Sequence, residues 1–434
     1  MRDSDALAMY IEFMTLWLPN RHEPVSTTPW NESAALDATR TIAREAIEAF
    51  SETTLWPAHP DDLEDIGADV GPLASLYNGA AGVIMGLAAL RHTVAVNFDL
   101  VAASTAIYRC AKAERDNNLF ARGSYMIGIA GPALLAAVYA GDDEAAEALY
   151  EDAANDVDPQ ARELFAGSPG HLHAIRFLYE RTGDQRWRTL ATRMAADLLS
   201  DFELFPDNCR LWVQHIYGLE WSAYLGAGHG FAGTAQAVLA ARGVVDVDLV
   251  EFSSQVATTA RNLADTDGKY VNWRKIYGVE SMPNLPADRY ASRLQWCHGA
   301  PGFIIALDAI PPDVDPLFDE LLLQAGELVW LAGPPRGDAG LCHGAAGNGW
   351  AFLKLYRRTN NAKWLQRARS FAMHALEGIG RRRAAKDVPW FSFWTGDIGT
   401  AVYLGACVGA VTDLPMIDFM PLANVPHSER SNIP

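Results

Sequence analysis

The stretches LQWCHGAPG (294–302) and GLCHGAAGN (340–348) repeat one phrase, Cys-His-Gly-Ala, inside a Gly-x-x-Gly unit. Such units recur along the chain, beginning at Gly79, Gly128, Gly167, Gly230, Gly299, Gly344 and Gly396, with starts 49, 39, 63, 69, 45 and 52 residues apart. Aligned on the first glycine, the two residues before it read Tyr-Asn, Met-Ile, Phe-Ala, Gly-His, Cys-His, Cys-His and Trp-Thr. Cys297 and Cys342 therefore occupy one position of the repeat, and His229, His298 and His343 the next.

An apolar, helix-favouring run follows the units, as at 83–90, 132–140 and 234–241, and polar helical patterns at 184–199 and 361–376 separate them. Each repeat is thus expected to be two helices, the first apolar on most sides and the second amphipathic. LYERTGDQRW (178–187) and LYRRTNNAKW (355–364) match without a gap: one helix–turn–helix written twice, with Thr-Gly-Asp or Thr-Asn-Asn as the turn. Alternating β-type stretches are scarce, so the chain reads as all-α. Seven helix pairs with apolar first helices point to an α/α toroid, a double ring of roughly fourteen helices sharing one core. The residues ahead of the glycines would gather at one mouth. A helical pattern over 31–51, with Asn31 or Ser33 as cap, supplies a further outer helix. Pro132 suits the first helical position. The whole of 1–434 is expected to be one domain, irregular over 1–30 and from about 415 to 434.

Half of the 434 residues are apolar, enough for a large core, and the net charge is -18 from 53 acids and 35 bases. That surface repels phosphate backbones and anionic lipid, which argues against nucleic-acid or membrane-surface partners. No apolar run reaches spanning length and the start of the chain does not read as a secretory signal. Five cysteines, an odd number widely spread, argue against a disulfide framework and for a reducing cytoplasm. Cys110 and Cys407 read as core residues, and Cys209 stands in a loop-like stretch with no partner.

Two thiols and an imidazole in one register are a donor set suited to Zn2+. Cys297, Cys342 and His343 would supply two sulfurs and one nitrogen and leave a fourth position open. Helix N-termini nearby favour the thiolate forms. The competing reading makes both cysteines small buried fillers, but Phe165 at the same position of the third repeat shows that packing there does not require cysteine. Two thiolates and a neutral histidine cancel the charge of the metal, so thiol activation is favoured over water activation. His229, one repeat earlier, is a candidate proton donor or acceptor across the mouth. Arg293, four residues before Cys297, is a candidate for holding a carboxylate or an enolate-like charge, with a solvated rim charge as the plainer alternative. Trp296, Trp394, Phe165 and Tyr77 read as core or rim aromatics. A sugar-hydrolysing ring would need paired carboxylates at the mouth, where Asp397 is the one obvious acid.

The blocks LGAGHGFAG (225–233), LQWCHGAPG, GLCHGAAGN and SFWTGDIG (392–399) resemble the lanthionine synthetase C-like family, over the seven repeats from Gly79 to Gly399. The resemblance implies a double helical ring with zinc on Cys297, Cys342 and His343. It also implies addition of a cysteine thiol to dehydroalanine or dehydrobutyrine, forming a thioether. The thiol belongs to the same peptide in the cyclases and to glutathione in eukaryotic relatives. His229 would then protonate the enolate carbon or assist thiol deprotonation, and Arg293 would position the substrate or steady the enolate. A dehydrated peptide or protein is the implied substrate, made by a separate dehydratase or kinase. Two positions depart from the family: Ser124 stands where cyclases tend to carry an acid, and Gly337, next to Arg336, where the glutathione-type relatives carry a lysine. These departures leave cyclisation, glutathione addition and non-catalytic glutathione or peptide binding all open.

Overall fold

The computed structural model describes residues 15–64, 72–114, 123–155, 160–216, 221–278, 292–386 and 388–421. Among them run fifteen α-helices in chain order: α1 (Glu32–Ala49), α2 (Pro60–Glu64), α3 (Ala80–Leu90), α4 (Leu100–Glu114), α5 (Ala130–Leu135), α6 (Asp143–Asn155), α7 (Ser168–Thr182) and α8 (Gln185–Ser200) come first. Then follow α9 (Phe231–Ala240), α10 (Val250–Asn262), α11 (Ala300–Leu307), α12 (Pro316–Ala332), α13 (Ala345–Thr359), α14 (Ala362–Lys386) and α15 (Asp397–Gly409). A π turn, Ala136–Ala140, prolongs α5. Two small antiparallel hairpins, β1 (Glu203–Phe205) with β2 (Cys209–Leu211) and β3 (Asp265–Thr266) with β4 (Val271–Asn272), decorate the connections.

The odd-numbered helices from α3 to α15 form an inner ring. Each packs on the next, and α15 packs on α3 to close the circle. Inner helices are buried almost all round, as in α3, α9 and α11, because they touch neighbours on both sides and outer helices behind. Helices α4, α6, α8, α10, α12 and α14 form the outer layer with α1, which lies against α15 and unites the two ends of the chain. Asn31 caps α1 as expected, its side chain accepting the Ala34 N–H at 3.0 Å.

The recurring glycines have one steric cause. In all seven units a Cβ on the second glycine would collide with the backbone carbonyl six residues earlier: Leu76 for Gly82, Trp296 for Gly302, Leu341 for Gly347. The loop entering each inner helix folds so tightly over the first turn that a side chain there has no room. The first glycine is the residue before the helix in six units. In the second unit α5 starts one residue later, after Ile129, and Pro132 lies third in the helix instead of first. Its missing N–H still falls among those that have no helical partner.

The two matched segments superimpose in their bonding. Thr182 and Thr359 each donate to the carbonyl four residues back, at 2.7 Å, and accept the N–H two residues on, at 3.2 Å. Gly183 and Asn360 turn the chain at positive φ, and Trp187 and Trp364 are buried behind them. The second copy runs on further: α14 extends to Lys386, ten residues past the expected end.

The described parts of both terminal segments are irregular and held in place by contacts with the ring. Residues 15–30 are irregular apart from a 3-10 turn, Pro19–Arg21, yet they are stitched across the ring, with Glu23 N–H donating to Pro334 and Ser26 Oγ to Glu377. The tail packs into the far end of the inner ring. Met416 and Ile417 are fully buried, and their carbonyls accept the Tyr125 hydroxyl and the Arg176 guanidinium. Residues 1–14 and 422–434 lie outside the described residues.

Candidate metal centre

The position shared by Cys297 and Cys342 is a hydrogen-bonded rim around one mouth of the ring. Gly228 N–H donates to Cys297, Cys297 to Cys342, Cys342 to Trp394, Trp394 to Tyr77, Tyr77 to Met126 and Met126 to Phe165, all backbone to backbone at 2.8–3.3 Å. These are the residues that stand two before the first glycine in the seven units, so the register read from sequence is a bonded circle. One link is missing. The Phe165 N–H turns instead to the Glu163 carboxylate at 2.9 Å, and Glu163 also takes the Ala166 N–H and His229 Nδ1, the latter at 2.9 Å.

On the bonded side the loops before α11 and α13 bring Cys297, Cys342 and His343 together, with one ligand atom from each inside a mutual 4.8 Å. A tetrahedral centre with bonds of about 2.3 Å keeps its ligands about 3.8 Å apart, so a small contraction would let this trio hold a metal ion. Both thiols are buried and His343 is half-exposed. The Cys297 thiol is held well below its usual range, chiefly by hydrogen bonding to Cys342 and further by the charges of His298 and His343. Burial and the neighbouring thiolate push Cys342 up. Burial alone would lower His343, but its hydrogen bond to Cys297 and the charge of Asp338 raise it to about 9. Two thiols and an imidazole so close together form a set whose protons a soft cation would displace.

Each cluster member has an outer partner. Gln295 Nε2 donates to the Cys297 sulfur at 2.9 Å, the Tyr77 side chain hydrogen-bonds to Cys342, and Asp338 Oδ2 lies 3.4 Å from His343 Nε2.

His229 faces the cluster from the open link. Gly228 approaches Cys297 so closely that a Cβ would touch the Cys297 Cβ, which draws the neighbouring imidazole in. The His229 ring packs against Phe165 at 4.5 Å and stands 6.1 Å from His298. Desolvation would lower its pKa, but the charge and hydrogen bond of the wholly buried Glu163 outweigh burial and raise it. Arg293 lines a cavity of about 530 Å³ beside the cluster, with Arg21, Lys275, Arg336, His298 and His343, and with Asp338 as its one acid among the lining residues. A cationic cavity in a chain of net charge -18 marks a place where anions are concentrated.

Several residues fall outside this arrangement. Trp296 and Trp394 are buried, their rings 4.0 Å apart, and serve as core. Asp397 is buried and paired to both Arg382 and Arg383. Cys209 and Cys407 are inert burials, pushed up to about 11 and about 12 by desolvation. Ser124, where an acid was sought, is buried. The acid that reaches the mouth is Glu163, four residues before the glycine of the third unit, a spacing that could have revealed it. Asp338, six before the glycine of the sixth unit, carried no such signal.

The fold and mouth define a class: an α/α toroid with a Cys-Cys-His cluster on the rim of its inner ring. The chain belongs to the family described as lanthionine synthetase C-like protein, whose pattern matches residues 73–417. It is 28% identical over 295 residues to "Glutathione S-transferase LANCL1" of Danio rerio, covering 65% of this chain and 70% of that protein. It is 30% identical over 220 residues to "LanC-like protein GCL1" of Arabidopsis thaliana, covering 49% and 46%. Among solved structures it resembles "Nisin cyclase" with a TM-score of 0.57 at 16% identity, covering 87% of this chain and 94% of that one, a likeness of fold. Among the described residues no helix is long and apolar enough to cross a membrane.

Proposed function

We propose that this chain is a zinc-dependent thioether-forming enzyme, adding a cysteine thiol to dehydroalanine or dehydrobutyrine in a peptide or protein. The observation that carries the reading is the pairing of the Cys297–Cys342–His343 cluster with the Glu163–His229 dyad on one rim. Zinc bound to the cluster would hold an incoming thiol as a nucleophilic thiolate. Addition would join the thiol sulfur to Cβ of the dehydro residue and shift the π pair onto Cα and its carbonyl as an enolate. Glu163 fixes the His229 tautomer through Nδ1, so proton exchange with substrate falls to Nε2, which delivers a proton to Cα. The proton released when the thiol ionises balances the one delivered. Arg293 and its cationic neighbours would steady the enolate or a substrate carboxylate.

The thiol donor is glutathione or a cysteine of the same peptide. Cations beside the cluster suit the carboxylates of glutathione, and the relative whose printed name is glutathione S-transferase supports that branch. A separate dehydratase or kinase would prepare the substrate, in a reducing cytoplasm, with residues 1–434 acting as one unit.

A second reading is a glutathione or peptide binder without turnover. Gly337 leaves the family lysine unreplaced, since the guanidinium of Arg336 donates to the carbonyls of Asn20 and His22. The test is incubation with a dehydrated peptide carrying an internal cysteine, with and without glutathione. Mass-conserving ring closure, or a glutathione adduct, that disappears along with stoichiometric zinc in Cys342→Ala supports the enzyme. Zinc and glutathione bound without either product would establish the binder.

A further inference from the structure

We propose that Asp338 is a positioning residue that fixes which nitrogen of His343 meets the metal: its carboxylate holds Nε2–H and presents Nδ1 to the two sulfurs. The inference rests on the reading that the cluster holds zinc.

Asp338 is tied into the ligand-bearing loop at both its side chain and its backbone. Oδ1 accepts the Gly340 N–H at 2.7 Å, and its carbonyl accepts the N–H of Ala345, the first residue of α13, at 3.0 Å. Oδ2 lies 3.4 Å from His343 Nε2. A ring nitrogen of the same imidazole lies within 4.8 Å of both cysteine sulfurs. With Nε2 on the carboxylate side, the nitrogen turned to the sulfurs is Nδ1. The ring thus lies between an anchored carboxylate and the donor set, an arrangement that sets both tautomer and orientation of a metal-binding histidine and raises its basicity. A neutral imidazole has one N–H, and an acceptor-only partner on Nε2 places that proton there.

Asp338→Asn separates this role from support of the loop. The amide oxygen keeps the Gly340 N–H, while its NH2 faces Nε2 and favours the opposite tautomer, with the proton on Nδ1. The full chain, loaded with zinc, is titrated against a chelator. Asp338→Asn is expected to weaken zinc retention about 10–100-fold, and Asp338→Glu, which keeps the carboxylate, to lose much less. Equal retention in wild type and Asp338→Asn would overturn the role of Asp338 and leave the zinc reading standing. Absence of zinc from the wild type would overturn both. A measurement without any Asp338 variant decides the same point: in 15N-histidine spectra of the zinc-loaded wild type, assigned against His343→Ala, a proton on Nε2 and the metal on Nδ1 are expected. The metal on Nε2 would sink the inference.

Discussion

The two faces of the inner ring carry opposite chemistry. At the mouth stand thiols and imidazoles: Cys297, Cys342, His343 and His229. At the far face, where the inner helices end, stand Arg176, Lys354, Arg357 and Arg358. Lys354 is buried with its ammonium 2.6 Å from Asp418, and Arg357 pairs with Asp308 and Asp413. All seven inner helices point their N-termini at the rim, so their dipoles add: partial positive charge favours thiolate at the mouth, and partial negative charge favours cations at the far face. The difference lies in how the charges are used. Far-face cations are matched by carboxylates and covered by the tail, whereas the mouth keeps an open cavity bordered by Arg21, Lys275, Arg293 and Arg336. One face is closed by the chain's own tail, and the other keeps its cavity open.

Substitutions on each face sharpen that division. His229→Asn is expected to slow thioether formation by about 10²–10⁴-fold, the usual worth of a positioned proton donor, with zinc content unchanged by metal analysis. Lys354→Met should do the reverse: it leaves Asp308 and Asp418 facing a buried apolar chain and costs about 3 kcal/mol of stability in a urea titration, with zinc content again unchanged. Zinc loss in the far-face variant would break the separation of roles. Glu163→Gln has the mildest effect. It removes the charge that raises His229, so the acid form is lost at lower pH and the alkaline limb of the rate profile should move to lower pH.

The ring and the gathering of Cys297, Cys342 and His343 were legible because repetition writes them in register: Gly-x-x-Gly fixes where each inner helix starts, and the residue two before it must fall on the rim. What repetition does not encode stayed hidden. Glu163 bonds to His229 across 66 residues, from one unit to the next, and it sits in the third unit, while the expected acid was sought at Ser124 in the second. Asp338 acts through a loop geometry that shows no pattern. The tail residues Asp413 and Asp418 gain meaning only against cations more than fifty residues away, so an irregular, proline-containing end gave no hint of its burial. Arg336, next to the Gly337 that occupies the lysine position, has its guanidinium engaged by the chain's own amino-terminal segment.

Helix α1 packs on α15, so a helix from near one end of the ring's sequence finds its seat on the last helix of the inner ring. A nascent chain on the ribosome can pair neighbouring repeats as they emerge, and α1 can touch α3 early, yet its main seat on α15 is complete only after more than 350 further residues are made. Joining ends so distant carries a loop-closure cost that grows only slowly with length. Timing is therefore the hazard, and the seam between first and last helix is where a folding chaperone would find its longest-lived target.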